Sequence, residues 1–263
     1  MVKMNKRLYF LHIPKTGGIN ISTSVFLNKN ISFFNTSNIK TLEDFYSSKY
    51  IYGHMGKTPI EKNPGIDVAC LFRNPLERSV SHFIHTYNYS YSKIVENKNY
   101  INIKTIEDKL KYYLFEDSYF ATVANFQSKS IFNIMKNEVF ENMFKKPDNP
   151  EYEIITKTNI LWYLLDQEFS FEDVKNIVDY FKIIGTTENY GSFFEKINNW
   201  FLDNYNEEIF TITNISSVLI DEELTEHTTL SLLNSLTEDE KEKFKNINEL
   251  DFKLYDYIKN KNV

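Results

Sequence analysis

Two short segments of this sequence carry residues whose types and spacing suit an anionic ligand. The first, residues 12–18, reads His-Ile-Pro-Lys-Thr-Gly-Gly. Its glycines let the backbone curl so that successive N–H groups point at one anion, and the helix expected next adds its positive dipole end. Lys15 supplies a mobile charge. We interpret the segment as a phosphate-binding loop, with a simple turn as the alternative. It is not a Walker A loop, because that string occurs nowhere in the chain.

The second segment, residues 70–83, reads Cys-Leu-Phe-Arg-Asn-Pro-Leu-Glu-Arg-Ser-Val-Ser-His-Phe. An arginine that leaves the carboxyl end of a parallel strand reaches the crevice where open α/β sheets bind ligands. The planar guanidinium of Arg73 suits a phosphate there. Ser81 lies two turns into the helix expected to open at Pro75, so its hydroxyl reaches the same anion only if that helix passes alongside.

The charge balance makes this second segment unusual. The chain has 30 Lys and Arg residues against 36 Asp and Glu, a net charge of −6, and only three arginines. Two of them, Arg73 and Arg78, lie five residues apart. An acidic chain argues against a general binder of nucleic acid or anionic membranes, so any anion site must be local. The alternative for these arginines is a surface salt bridge, for instance of Arg78 with Glu77 or Asp44.

Each of the two segments lies in a predicted strand–turn–helix unit, so this pattern occurs twice in the sequence. An apolar run at residues 8–13 ends in a Pro and Gly turn and is followed by a weak helical pattern at 19–27. A second apolar run at 66–72 leads into Pro75, which suits the first residue of a helix. A strand end at 50–53 adds a third candidate strand.

The second half of the chain is mostly helical by pattern. Residues 106–144 favour helices, 145–150 a turn, and Ser170 with Asp173 a capping box. A late strand at 181–185, an aromatic helix at 190–201 and an amphipathic helix at 237–259 follow. Strands that alternate with helices predict an α/β fold with a mainly parallel central sheet flanked by helices. No repeat or linker divides the chain, so residues 1–263 are expected to form a single domain.

Composition excludes several classes of protein. With 263 residues, of which 42% are hydrophobic and 16% aromatic, the chain is neither disordered nor fibrous. The single cysteine, Cys70, excludes a disulfide framework and a multi-cysteine zinc site. The apolar run at 8–13 is too short for a signal peptide or a membrane span. We therefore expect a cytoplasmic protein without a membrane span or a nucleic-acid partner.

Taken together, the two segments resemble the paired signatures of sulfotransferases that use 3′-phosphoadenosine 5′-phosphosulfate (PAPS), in the branch related to heparan sulfate 2-O-sulfotransferases. The resemblance continues through residues 125–129, through 184–188 with the aromatic helix, and through the C-terminal helix. It implies a P-loop-like, sulfotransferase-like fold with a single domain.

The resemblance also implies roles for individual residues. The loop that holds the 5′-phosphosulfate is matched by Lys15, Thr16, Gly17 and Gly18. Arg73 and Ser81 match the pair that holds the 3′-phosphate. The family usually continues the loop with Thr-Ser or Thr-Thr, whereas this chain has Ile19 and Asn20. Asn20 can donate through its amide, and Ser22 is expected to lie too far round the helix to replace the missing hydroxyl.

A Gly-His pair at residues 53–54 matches the pair that supplies the catalytic base in the heparan sulfate relatives. The chemistry agrees, because an alcohol acceptor must lose its proton as it attacks sulfur, and an imidazole with a reference pKa of about 6.5 accepts protons near neutrality. The alternative is that His54 only packs or caps a strand. A structural or solvated role is expected for the other four histidines, which are His12, His82, His85 and His227.

The function these residues imply is transfer of a sulfuryl group from PAPS to a hydroxyl or amine of a glycan or small molecule, leaving the product 3′-phosphoadenosine 5′-phosphate (PAP). His54 would be the general base, Lys15 would stabilise the leaving group, and no metal is required. The alternatives are a non-catalytic module that binds PAP, a nucleotide or a glycan, and a nucleotide-dependent kinase. The low pI favours a neutral acceptor over a long sulfated polyanion, and residues 87–104 are expected to form a loop at its pocket.

Overall fold

A five-stranded parallel sheet forms the centre of the molecule. The computed structural model describes residues 6–35, 41–89, 102–116, 124–135, 137–142, 144, 168–209 and 228–261. The strands are β1 (Leu8–Leu11), β2 (Phe33–Asn35), β3 (Tyr50–Gly53), β4 (Asp67–Phe72) and β5 (Ile183–Thr186). Their order across the sheet is β2-β3-β1-β4-β5, and every neighbouring pair is parallel. The expected α/β fold with a parallel sheet is confirmed.

Helices connect the strands and cover both faces of the sheet. The α-helices of the first half are α1 (Gly18–Leu27), α2 (Leu42–Ser47), α3 (Thr58–Lys62), α4 (Pro75–Tyr89) and α5 (Ile106–Phe115). Those of the second half are α6 (Phe126–Phe132), α7 (Asn137–Asn142), α8 (Phe171–Tyr180), α9 (Tyr190–Tyr205), α10 (Thr229–Asn234), α11 (Glu238–Ile247) and α12 (Glu249–Lys261). A short 3₁₀ helix, Thr187–Asn189, joins β5 to α9.

The near-continuous apolar character of the strands follows from burial on both faces. Along β1, Tyr9 and Leu11 point into a core shared with α6, α8 and α12, whereas Leu8 and Phe10 point into a core shared with α1 and α9. This is the alternation that strand geometry requires. A third apolar cluster joins α4, α5, α10 and α11 away from the sheet.

Register brings the carboxyl ends of the central strands level with one another. Leu11 of β1 lies opposite Gly53 on one side and opposite Cys70 on the other. Beyond β4, Phe72 lies opposite Thr186 of β5. Because all these strands are parallel, the residues that follow them meet at one edge of the sheet.

Helix boundaries follow the capping residues in the sequence. Pro75 is the first residue of α4, as expected, and the Asn74 side chain accepts hydrogen bonds from the N–H groups of Leu76 and Glu77. Ser170 and Asp173 form the predicted capping box of α8. The strands expected at 8–13, 66–72 and 181–185 and the helix at 19–27 are each found within a few residues.

Three features differ from the sequence-based expectation or lie beyond it. Strand β2 carries no recognisable apolar run and was not predicted. The single helix expected at 237–259 is divided into α11 and α12 at the buried Asn248, whose side chain accepts a hydrogen bond from the Asn125 N–H. The turn at 145–150, and residues 90–101 of the expected acceptor loop, lie outside the described residues, while α4 extends to Tyr89.

Within the described ranges, no helix combines the length and apolar character needed to cross a bilayer.

Two glycines near β5 provide a paired test of this packing. A Cβ at Gly185 would lie 2.7 Å from Cδ2 of Phe193, whereas a Cβ at Gly191 would have no atom within 4 Å. We expect Gly185→Ala to lower the free energy of unfolding by about 1–3 kcal/mol through overpacking. Gly191→Ala should leave it unchanged or raise it by up to about 1 kcal/mol, because alanine is the better helix former. Urea denaturation measures both, and equal effects would contradict the packing of α9 on β5.

Candidate active site at the carboxyl edge of the sheet

The loop after β1 has the backbone shape of an anion-binding turn. Lys15 and Gly17 adopt the left-handed conformation, with φ values of 71° and 84°. Thr16 between them is fully buried, and its hydroxyl donates to the Ile13 carbonyl at 2.8 Å. The Thr16 hydroxyl therefore holds the turn in place.

Helix α1 starts directly from this loop with its first N–H groups open. Gly17 is the N-cap, and no side chain among the described residues caps the helix or places a carboxylate in its first turn. A Cβ at Gly18 would lie 2.6 Å from Cδ2 of His12, so only glycine allows the helix to start this close to β1. The open N–H groups and the dipole of a ten-residue helix are suited to an anion.

Arg73 joins the two segments that the sequence singled out. It follows the last residue of β4, and its Nη1 donates to the Lys15 carbonyl oxygen at 3.4 Å. Its Nε contacts the carboxylate of Glu77, in the first turn of α4, at 3.3 Å. The salt bridge considered as the alternative for the two arginines is thus present for Arg73. Burial, and next the nearby charge of Arg73, lower the pKa of Lys15.

Arg78 occupies a different environment from the surface salt bridge considered for it. Its side chain is 1% exposed and lies over the Phe126 ring, with Cζ 4.2 Å from the ring centroid. Nη2 donates to the Ser79 hydroxyl, whereas Nε and Nη1 find no hydrogen-bond partner in the described part of the chain. Burial lowers the pKa of Arg78, and the charge of Asp251 opposes that effect. The pairing of Arg78 with Glu77 or Asp44 was wrong.

The other residues expected to bind the nucleotide lie in α1 and α4, the two helices that start at this edge. Asn20 and Ser81 are both partly exposed, in the first turn of α1 and the second turn of α4. Ile19 is 55% exposed beside the loop. Ser22 is buried, and its hydroxyl shares a hydrogen bond with the Tyr50 hydroxyl at 3.1 Å. Ser22 therefore faces the core, in agreement with the expectation that it cannot replace the missing loop hydroxyl.

His54 lies at the same edge, immediately after β3. Its Nδ1 is 2.6 Å from the His12 carbonyl oxygen, which can only accept, so Nδ1 carries the proton and Nε2 is the basic nitrogen of the neutral ring. The ring lies against that of His12, with centroids 4.6 Å apart. Burial lowers the pKa of His54, and the bond to the His12 carbonyl partly opposes this. The imidazole is thus neutral near pH 7 and is held in one orientation.

Four of the five histidines lie close to Lys15 or to one another. His12 donates to or accepts from the Tyr52 hydroxyl at 2.6 Å, and His82 is equally close to the Tyr113 hydroxyl. Burial lowers the pKa of His12 and His82 well below the usual value, and nearby charges including Lys15 add to this. For His85, burial and then Lys15 lower the pKa to about 4. The edge therefore carries lysine and arginine charges with neutral imidazoles near them.

No protein-family model matches this chain, and no curated protein gives a significant match. What this edge of the sheet does chemically therefore follows from its own residues. The uncapped start of α1, Lys15 and Arg73 lie together at this loop, and the neutral imidazole of His54 follows the neighbouring strand. Such a set can hold a polyanion and accept a proton. The described residues contain no cluster of three or more His, Cys, Asp or Glu side chains that would suit a metal ion.

Several residues that shape the edge were not found by sequence reasoning. Gln127 binds both main-chain groups of Arg73 and is itself held by Asp251, more than 120 residues further along the chain. The Tyr113 hydroxyl contacts His82, and the Tyr190 ring lies 3.7 Å from the Cβ position of Gly17. The only signal in the sequence was the resemblance noted for residues 125–129, which gave no role to Gln127.

The tautomer of His54 can be tested directly. We expect the side-chain nitrogens to show the neutral Nδ1–H form at pH 6.5, because Nδ1 donates to the His12 carbonyl and burial lowers the pKa. Long-range ¹H–¹⁵N correlation spectra would measure this, with the His54→Gln variant used to assign the signals. A neutral ring protonated on Nε2 would contradict the geometry.

Proposed function

We propose that this protein is a sulfotransferase that moves a sulfuryl group from PAPS to a hydroxyl or amine of a small-molecule or glycan acceptor. The observation that carries the proposal is the contact between the two sequence segments: the Arg73 guanidinium meets the Lys15 loop while His54 lies at the neighbouring strand end. The five-stranded parallel sheet is compatible with the P-loop-like sulfotransferase fold that the resemblance implies.

The chain's residues suit the two ends of such a nucleotide. The open N–H groups of α1, together with Lys15, would hold the 5′-phosphosulfate, with Gly17 and Gly18 allowing its close approach. Arg73 would give up its long contact with Glu77 and bind the 3′-phosphate, with Ser81 in reach from α4. Asn20 would donate from the first turn of α1, where the sulfotransferases that the sequence resembles usually carry a hydroxyl.

Bound PAPS would supply the sulfuryl group, and the residues of this chain would move the proton and the charge. His54 Nε2 would take the acceptor proton as the acceptor oxygen or nitrogen bonds to sulfur, which gives an imidazolium that later releases the proton to water. The bond from sulfur to the phosphate oxygen of the nucleotide would break, and Lys15 with the loop N–H groups would stabilise the charge on that oxygen. PAP and the sulfated acceptor are the products.

Replacement of the proposed base gives a specific kinetic result. We expect His54→Ala to lower kcat by about 10²–10⁴-fold while leaving PAP binding nearly unchanged, because the imidazole acts on the acceptor. In the wild type, kcat/KM for PAPS should fall only below pH 6.5, because burial lowers the pKa of His54. Labelled PAPS and an acceptor found by screening extracts of the source cell provide the assay. Near wild-type turnover of the variant would show that another group is the base.

The nucleotide can be tested without knowing the acceptor. Thermal denaturation should show stabilisation by PAP and little by ATP, since only PAP places a phosphate opposite Arg73. Lys15→Ala and Arg73→Ala should each weaken PAP binding by about tenfold or more through loss of a charged contact. Lys182→Ala, which removes a lysine where the chain enters β5 at the opposite edge, is the matched control.

Three outcomes of this experiment would separate the alternatives. Stabilisation by ATP and not by PAP would favour a nucleotide-dependent kinase. PAP binding without hydrolysis or transfer of the PAPS sulfuryl group would favour a binding module. Unchanged PAP affinity in both the Lys15 and Arg73 variants would contradict the proposed site altogether.

A further inference from the structure

Arg73 is the first residue after the end of β4. The pairing of β4 with β5 ends at Phe72, opposite Thr186, so Arg73 has no strand neighbour there. The Gln127 side chain takes that place. Its Oε1 accepts from the Arg73 N–H at 3.1 Å, and its Nε2 donates to the Arg73 carbonyl at 2.9 Å. The Gln127 amide group thus makes the two hydrogen bonds that a peptide group of a neighbouring strand would make with Arg73.

Gln127 is itself fixed by its position at the start of α6. The residue is 1% exposed, and its N–H donates to the Asp251 carboxylate at 2.9 Å. Ser128 donates to the same carboxylate through its N–H and its hydroxyl, at 2.8 and 2.7 Å. In return, the Asn125 side chain accepts from the N–H groups of Leu250 and Asp251 at the start of α12. Each helix therefore caps the other, which leaves Gln127 little freedom.

The guanidinium of Arg73 is held much less firmly than its main chain. Its contacts with Glu77 and with the Lys15 carbonyl, at 3.3 and 3.4 Å, are at the long end of hydrogen bonding. The side chain is 22% exposed. Because these contacts are weak, the direction in which the side chain leaves the sheet is set mainly by the main chain that Gln127 fixes.

We propose that Gln127 is a positioning residue that gives the site its selectivity for nucleotides with a 3′-phosphate. It touches no substrate, and it acts by holding the Arg73 main chain so that the guanidinium points to where that phosphate lies. The inference rests on the proposed function, which places the 3′-phosphate at Arg73. It concerns one end of the nucleotide only, because the side-chain hydrogen bonds of Gln127 in the described part of the chain go to Arg73 and not to the Lys15 loop.

The test compares PAP with adenosine 5′-monophosphate (AMP), which lacks the 3′-phosphate. Gln127→Met keeps the length of the side chain and removes both hydrogen bonds to Arg73. We expect its affinity for PAP to fall about tenfold while its affinity for AMP stays unchanged, so that the ratio of the two affinities falls. A general loss of stability would not change this ratio. Isothermal titration or thermal shift at several ligand concentrations measures it.

A matched control loses a hydrogen bond elsewhere in the molecule. Trp200→Phe removes the bond from Nε1 to the Asp67 carboxylate, 2.8 Å long and at the opposite edge of the sheet. Its ratio of PAP to AMP affinity should equal that of the wild type. If Gln127→Met does not fold, Gln127→Glu provides the second variant, since it can still accept from the Arg73 N–H but cannot donate to the carbonyl while ionised.

The possible results separate this inference from the proposed function. A wild type that prefers PAP to AMP, with a lower preference in the Gln127 variants alone, would support both. An unchanged preference in the folded Gln127 variants, or an equal loss in Trp200→Phe, would overturn the positioning role and leave the proposed function standing. A wild type that binds PAP no better than AMP would overturn the assignment of Arg73 to a 3′-phosphate and the positioning role with it.

Discussion

The parallel pairing of β1 with both of its neighbours is the constraint on which the candidate site depends. With Leu11 level with Gly53 and with Cys70, the residues that follow β1, β3 and β4 emerge together at one edge. His54 thereby reaches the His12 carbonyl, and Arg73 reaches the Lys15 carbonyl. A register shift of one residue in either pair would separate these groups and would also turn the core face of the strand toward the wrong helices.

This arrangement concentrates positive charge at one edge of the sheet, in a protein that is otherwise acidic. Burial, and next the charge of Arg73, lowers the pKa of Lys15, and the buried Arg78 is close enough to Arg73 to be affected by its charge. The Phe126 ring and the carboxylate of Asp251 offset part of the desolvation of Arg78. Burial is the main reason why the pKa values of His12 and His82 lie well below the usual value, and the positive charges nearby lower them further, so these imidazoles remain neutral. A bound polyanion would relieve this repulsion.

Much of the fold could be predicted because its signals are local. Continuous apolar runs predicted β1 and β4, and Ser170, Asp173 and Pro75 marked helix starts through contacts within one turn. The parallel sheet then implied that the Lys15 loop and Arg73 share an edge. The burial of Arg78 and the role of Gln127 could not be predicted, since both depend on α6 and α12, which are distant in sequence. The break at Asn248 has the same cause, because a partner at Asn125 holds the side chain that interrupts the helix.

The C-terminal helix α12 therefore helps to position the residues of the site, in addition to packing on the sheet. Its Asp251 carboxylate meets the N–H groups at the start of α6, where a negative charge is favoured by the helix dipole, and it also faces the buried Arg78. Burial raises the pKa of Asp251, whereas the hydrogen bonds from Ser128 and Gln127 and the charge of Arg78 favour its ionised form. The start of α6 fixes Gln127, and Gln127 fixes the main chain of Arg73. The hydrogen bonds that join α12 to the start of α6 are buried, and those from Gln127 to Arg73 are partly buried, so the α6–α12 contact and the position of the Arg73 main chain are coupled.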